Sequence, residues 1–167
     1  ANAVHPISLV EVRYSLADRH IEDDLLPTAR ELGVGIVAFG VLLSGLIGGS
    51  SQEEKLKSIG QRISPEALAT MKANLARTNA LKQIAVEKGT TLAQLAIAWV
   101  LAQGEDIIAL VGSRTASQIK DTIQALNVKL TKEDLDRIKR IMPKEEATCS
   151  YMLDVDIDSK GLFHAKQ

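Results

Sequence analysis

The chain has 167 residues, of which 46% are hydrophobic and 25% charged, with a formal net charge of -1. That length supports one ordinary domain with a real core, and the composition is that of a globular chain rather than a disordered one. The balanced charge offers no basic excess for nucleic acid and no like-charge block for a membrane surface. The single cysteine, Cys149, excludes an internal disulfide framework and a multi-thiolate zinc site, and predicts a reducing, cytoplasmic setting.

The amino terminus, Ala1 to Pro6, has no initiator Met, basic region or apolar signal core, and is expected to enter the chain in mid-domain. The longest apolar run, Val34 to Ile47, is broken by glycines and a serine and is too short to span a bilayer, so no membrane insertion is expected.

Val10, Val12 and Tyr14 alternate with Glu11 and Arg13, which predicts a strand over 7–15 with one charged face. Ile21, Leu25, Ala29 and Leu32 mark one face of a helix over 18–32 that stops at Gly33; Pro27 inside it implies an irregular first turn or a later start. The run Val34–Phe39 reads as a strand buried on both faces. A long loop is expected over 40–63, glycine- and serine-rich around Gly48 to Ser51.

Ser64 followed by Pro65 opens a helix expected to run to about Lys88. Thr91 and Gln94 form a capping box for a helix burying Leu92, Leu95, Ala96, Trp99 and Val100. Ile107–Val111 reads as another buried strand, Thr115 and Gln118 as a second capping box, and helices are expected over 117–126 and 132–141, the latter capped by Thr131. After Pro143 the pattern dissolves into an irregular tail over 143–167. Strand, helix, strand, helices, strand, helices is a parallel α/β order, and three strands leave sheet edges that something must manage.

Two segments carry a resemblance. One is Val10-Glu-Val-Arg-Tyr-Ser-Leu16 with Leu26-Pro-Thr-Ala-Arg-Glu-Leu-Gly-Val-Gly-Ile-Val-Ala-Phe-Gly-Val-Leu42 and Ser44-Gly45. The other is Lys88-Gly-Thr-Thr-Leu-Ala-Gln-Leu-Ala-Ile-Ala-Trp-Val-Leu101 with Val111-Gly-Ser-Arg-Thr115. Together they resemble the aldo-keto reductase family, over roughly 4–142. The resemblance implies the carboxyl-terminal part of a (β/α)8 TIM barrel, about strands six to eight with their helices, and residues 1–167 as one partial domain. It implies an enzyme class that reduces aldehydes or ketones with NADP(H), and a small carbonyl substrate. The family's catalytic Asp, Tyr, Lys and His lie on the first four strands; nothing here matches them, so no catalytic residue is assigned. The missing amino-terminal half, or another chain, is the expected partner.

The same resemblance assigns the cofactor residues. Phe39 stands where an aromatic stacks on the nicotinamide, and Glu11 where Gln usually holds the carboxamide; a carboxylate can accept from the amide NH2 but cannot donate to its oxygen. Gly40, Leu42, Ser44 and Gly45 match the pyrophosphate loop, although Gly40-Val41 replaces a common Ser-Pro. Ser113, Arg114 and Thr115 end the last strand at a helix amino terminus, where N–H groups and a guanidinium suit the 2′-phosphate. Gln118 matches a contact near the adenosine phosphate. Asp121 and Thr122 replace a Glu-Asn pair near the adenine. Leu46, Ile47 and the tail after Pro143 are expected to line a pocket.

Plainer readings stand beside these. Arg114 can be a solvated residue beside an ordinary cap, and Glu22-Asp23-Asp24 acids of a first helical turn rather than metal ligands. No metal is expected. Trp99 is expected in the core. Cys149, His5, His20 and His164 carry no reactive pattern. Two other functions compete with the enzyme: a non-catalytic NADP(H)-binding or assembly module, like the aldo-keto-reductase-like subunits of potassium channels, and a half barrel that dimerises to cover its edges.

Overall fold

A computed structural model describes residues 2–48, 52–61 and 63–147, and the backbone of two short strands at 155–157 and 163–165. Strands β1 (Leu9–Arg13), β2 (Gly35–Phe39) and β3 (Ile107–Ala109) form a parallel sheet in chain order. The register pairs Glu11 with Val37 and Val37 with Ile108, and pairs Arg13 with Phe39. Partners in register project to the same face. One face therefore carries Val10, Ile36 and Ile107, and the other carries Glu11, Val37 and Ile108.

Helices cover only the first of these faces, where Ile36 and Ala38 have no exposed surface. On the other face Leu9, Ile108 and Leu110 are about half exposed, at 50%, 53% and 50%. This corrects the expectation of strands buried on both faces. Apolar content without alternation suits double burial, but among the described residues one side has no covering layer.

Helix α1 (Leu25–Glu31) begins well after Asp18, with Asp24 as its cap, so Pro27 sits in the first turn where its missing N–H costs nothing. Of the acids before it, Glu22 lies in the 3₁₀ turn His20–Glu22, ahead of α1. Glu22 joins Tyr14 and Arg19, Asp23 pairs with Lys144, and Asp24 caps.

The expected loop over 40–63 contains a helix, α2 (Gln52–Gly60). No α2 residue is fully buried; only Leu56 and Ile59 lean on the core, too few to give a periodic signal. The long helix expected after Ser64 is two, α3 (Pro65–Ala80) and α4 (Lys82–Glu87), separated at the buried Leu81.

Helix α5 (Leu92–Leu101) is the centre of the molecule. Its capping box is present as expected, and Trp99 lies in the core, 5.6 Å from the ring of Tyr14. Helix α6 (Ala116–Ile123) continues into a 3₁₀ turn, Gln124–Asn127. Helix α7 (Lys132–Ile141) carries a second capping box, from Thr131 and Asp134. The segment after Pro143 is not wholly irregular: it holds a 3₁₀ turn at Lys144–Glu146 and an antiparallel pair, β4 (Val155–Ile157) and β5 (Phe163–Ala165). Gly49, Ser50, Ser51, Cys149 and Tyr151 lie outside the described residues.

Among the described residues no single helix is long and apolar enough to cross a membrane. The apolar α3–α4 and α5 segments are bent by 92° against one another.

Candidate functional site

The loop leaving β2 is a chain of tight turns. Gly40 and Gly45 adopt left-handed backbone (φ 72° and 79°), open to glycine at no steric cost. Leu43 is left-handed too, at φ 48°, and its side chain is buried, so core packing holds a conformation disfavoured for Leu. Backbone bonds from Leu43 to Gly40, Gly45 to Leu42 and Ile47 to Leu42 close the turns. Leu46 and Ile47, expected at a pocket, are instead core residues, because this tightening turns both inward.

Across from this loop, the chain leaves β3 through Leu110–Arg114. Thr115 caps α6 by accepting from the Gln118 N–H. The capping box expected from Thr115 and Gln118 is incomplete: the Gln118 Oε1 accepts from Arg114 N at 2.7 Å, one residue before the cap. That bond shapes the Ser113–Arg114 turn rather than closing the helix end.

The two loops border a cleft of about 400 Å³ at the carboxyl ends of β2 and β3. It brings together Gly40, Leu42, Gly45, Ser113 and Arg114. Ser44 lies in the 3₁₀ turn Leu43–Gly45, and its hydroxyl lies outside the described residues. Among the described residues the Arg114 guanidinium meets no carboxylate, and no acidic side chain lines the cleft. One lining residue escaped the sequence reading. Lys55 reaches in from α2, its Nζ donating to the Gly45 carbonyl at 2.6 Å. It sits inside a segment read as loop, so only recognition of α2 could have exposed it.

At the same end of the open sheet face, Phe39 is half-buried beneath Arg13, whose guanidinium carbon is 5.4 Å from the ring centroid. Arg13 Nε lies 3.6 Å from Asp18 Oδ2, and the other Asp18 oxygen is 2.6 Å from His20 Nδ1. Burial pushes the Asp18 carboxyl up, against the pull of His20 and Arg13. Glu11 is exposed on this face, two residues before Arg13. Phe39 is thus partly exposed, with a cation over its ring.

Asp121 and Thr122 stand apart from the cleft lining. Gln94 Nε2 donates to both the Asp121 carbonyl (3.0 Å) and its carboxylate (2.7 Å), which ties α6 to the first turn of α5. Thr115 is occupied as a cap, and Gln118 is exposed with its oxygen engaged.

Tyr14 is fully buried and donates to Glu22 at 2.8 Å; burial first, and then the Glu22 carboxylate, push its hydroxyl far above the ordinary phenol range. Arg19 holds the same carboxylate and lies over Trp99, so this cluster fastens β1 to α5. Among the described residues no group of three His, Cys, Asp or Glu is placed to hold a metal ion.

The profile of the aldo/keto reductase family matches residues 1–143. The chain belongs to that family. A probable aldo-keto reductase 1 from Glycine max is 37% identical over 148 residues, covering 86% of this chain and 42% of that protein. The fold is similar to a glycerol dehydrogenase from Gluconobacter oxydans (TM-score 0.68, 25% identity, 86% of this chain and 45% of that one). It is also similar to an aldo/keto reductase from Klebsiella pneumoniae solved with NADP and acetate (TM-score 0.61, 23% identity, 86% and 42%). The parallel α/β arrangement is thus that of the family's TIM-barrel fold. The chain spans less than half the length of each of these relatives.

Proposed function

We propose that this chain is the NADP(H)-binding, carboxyl-terminal part of an aldo-keto reductase barrel, contributing about strands six to eight as one partial domain. The observation that carries the reading is the convergence of the Gly40–Gly45 turns and the Ser113–Arg114 turn on one cleft at the carboxyl ends of parallel strands, where such barrels place their sites. The residues fit a dinucleotide phosphate in kind: left-handed glycines permit close backbone approach, and Arg114 is a fork-shaped cation without a protein partner among the described residues. NADP(H) would supply hydride transfer. This chain's own part is to hold the phosphates with Gly40, Leu42, Gly45, Ser113 and Arg114, and to offer Phe39 as a stacking face.

In this reading the substrate is a small aldehyde or ketone, and its chemistry needs a proton donor from the rest of a barrel or from another chain. The edge of β3, unpaired among the described residues, and the half-exposed Ile108 and Leu110 support such a partner. Tyr14, sealed against Glu22 inside the core, does not serve as the donor. The same open face also suits a non-catalytic NADP(H)-binding or assembly module; carbonyl reductase activity of the natural full-length protein separates the two.

Fluorescence titration with NADPH and NADH tests the binding reading. Arg114→Ala is expected to weaken NADPH roughly 10- to 100-fold, the size of a lost charge-assisted contact, and to leave NADH nearly unchanged. Equal loss for both cofactors removes the 2′-phosphate role of Arg114.

A further inference from the structure

The cleft contains a second cation that neither the sequence motifs nor the family resemblance assigns. We infer that Lys55 is an anion-binding residue of this cleft, reserved for the diphosphate bridge of a dinucleotide rather than for its 2′-phosphate. This rests on the proposed NADP(H) reading and extends it to a residue outside the motif.

Three observations carry it. First, Lys55 is half-buried, and among the described residues its Nζ bonds one neutral carbonyl, that of Gly45. An ammonium group has three donors, so this one retains donor capacity beyond its Gly45 bond. Second, its charge has no carboxylate partner among the described residues, in contrast with Arg19, Arg30, Lys88, Arg137 and Lys144, each paired with an acid. A partly desolvated cation left without a counter-charge favours an anion that brings one. Third, Lys55 and Arg114 line the same cleft, one carried by α2 and the other by the turn before α6. Two cations from separate elements in one cleft suit a ligand with two separate phosphate centres.

The Gly45 contact fixes which centre Lys55 takes. Lys55 stands over the glycine turn, close enough that a Cβ on Gly45 would lie 3.1 Å from Nζ. Its reach therefore covers the loop that the resemblance gives to the diphosphate, while Arg114 stays with the strand-end turn. Gln52, one turn earlier on α2, donates to the Leu46 carbonyl at 2.8 Å, so the helix is held to the same loop independently of Lys55.

The experiment titrates the full chain with NADPH, NADH and adenosine 2′-monophosphate, by fluorescence or calorimetry, at several salt concentrations. Lys55→Met is expected to weaken NADPH and NADH by the same factor, about tenfold, to flatten the salt dependence of both, and to leave adenosine 2′-monophosphate unaffected. Lys55→Arg is expected to restore most of the affinity. An unchanged melting temperature shows that the loss is not one of folding. Wild type that binds the dinucleotides while Lys55→Met binds them equally well, with the same salt dependence, overturns the assignment alone. Equal loss on adenosine 2′-monophosphate overturns it in favour of a loop-shaping role. Wild type that binds none of the three ligands overturns both the assignment and the NADP(H) reading beneath it.

Discussion

Asp134 shows how a single carboxylate can serve two purposes in this chain. It completes the capping box of α7 by accepting from Thr131 N at 2.8 Å, and it pairs with Lys88 at 2.5 Å, beyond the end of α4. Burial alone pushes its carboxyl up, but Lys88 and Thr131 outweigh that and hold it below the usual carboxylate range. A depressed folded-state pKa contributes stability above the unfolded value of about 3.9, and loses it as pH falls through the folded value. Asp134→Asn is therefore expected to lower stability at neutral pH by about 1 kcal/mol. Denaturant melts should show the gap between variant and wild type closing below about pH 4; a gap constant down to pH 2 would remove the ionic component. The residue scale is also where sequence and structure agree least evenly. Gly40, Leu42, Gly45, Ser113 and Arg114 line one cleft, because short segments next to strand ends have little freedom. Arg13 over Phe39, Lys55 in the cleft and Gln118 on Arg114 N were not legible, since each depends on where a distant or flexible side chain comes to rest.

Among the elements, α5 and α6 are joined through one side chain. Gln94 accepts from the Thr91 N–H and the Thr90 hydroxyl, and donates to the carbonyl and carboxylate of Asp121, all while buried. Gln94→Ala removes a cap and an interhelical clamp together, and is expected to cost about 2 kcal/mol, against about 1 kcal/mol for Thr91→Ala. A double-mutant cycle with Asp121→Ala should report coupling of roughly 0.5–3 kcal/mol, as for residues in one hydrogen-bond network. Additive losses would mean the clamp contributes nothing beyond the cap. Asp121 therefore holds α6 against α5 through Gln94. Helices with caps and a buried stripe were legible from sequence: α3, α5 and α7 all begin where Ser64, Thr91 and Thr131 predict. Helix α2 was not, because it buries nothing fully and follows a glycine-serine run that reads as loop.

At the scale of the molecule, the α/β order and parallel sheet were readable from the alternation of apolar runs with capped helices. The one-sided covering of that sheet was not, since an apolar strand reads the same whether its second face is covered within the chain or left to something else. The strand Ile107–Ala109 illustrates this: Ile107 is buried among the helices while its neighbour Ile108 is half in water.

The sheet order has a consequence for the path by which the chain folds. Its strands lie side by side in the order in which they are made, so β1 and β2 can pair before β3 is available. The stretch of chain closed by β1 and β2 is also much shorter than the one closed by β2 and β3, which makes the first pairing less costly in loop entropy by roughly 1 kcal/mol. Once β2 is fixed, Ala38 is ready to accept from Leu110 N, so β3 docks onto an existing template rather than nucleating its own. In pulse-labelled hydrogen exchange, amides shared by β1 and β2 should gain protection before Leu110 does; simultaneous protection would point to a single concerted step. Early in folding, then, the growing sheet presents β2 as a bare parallel edge, and the α2–α5 segment that separates β2 from β3 must settle before that edge is sealed.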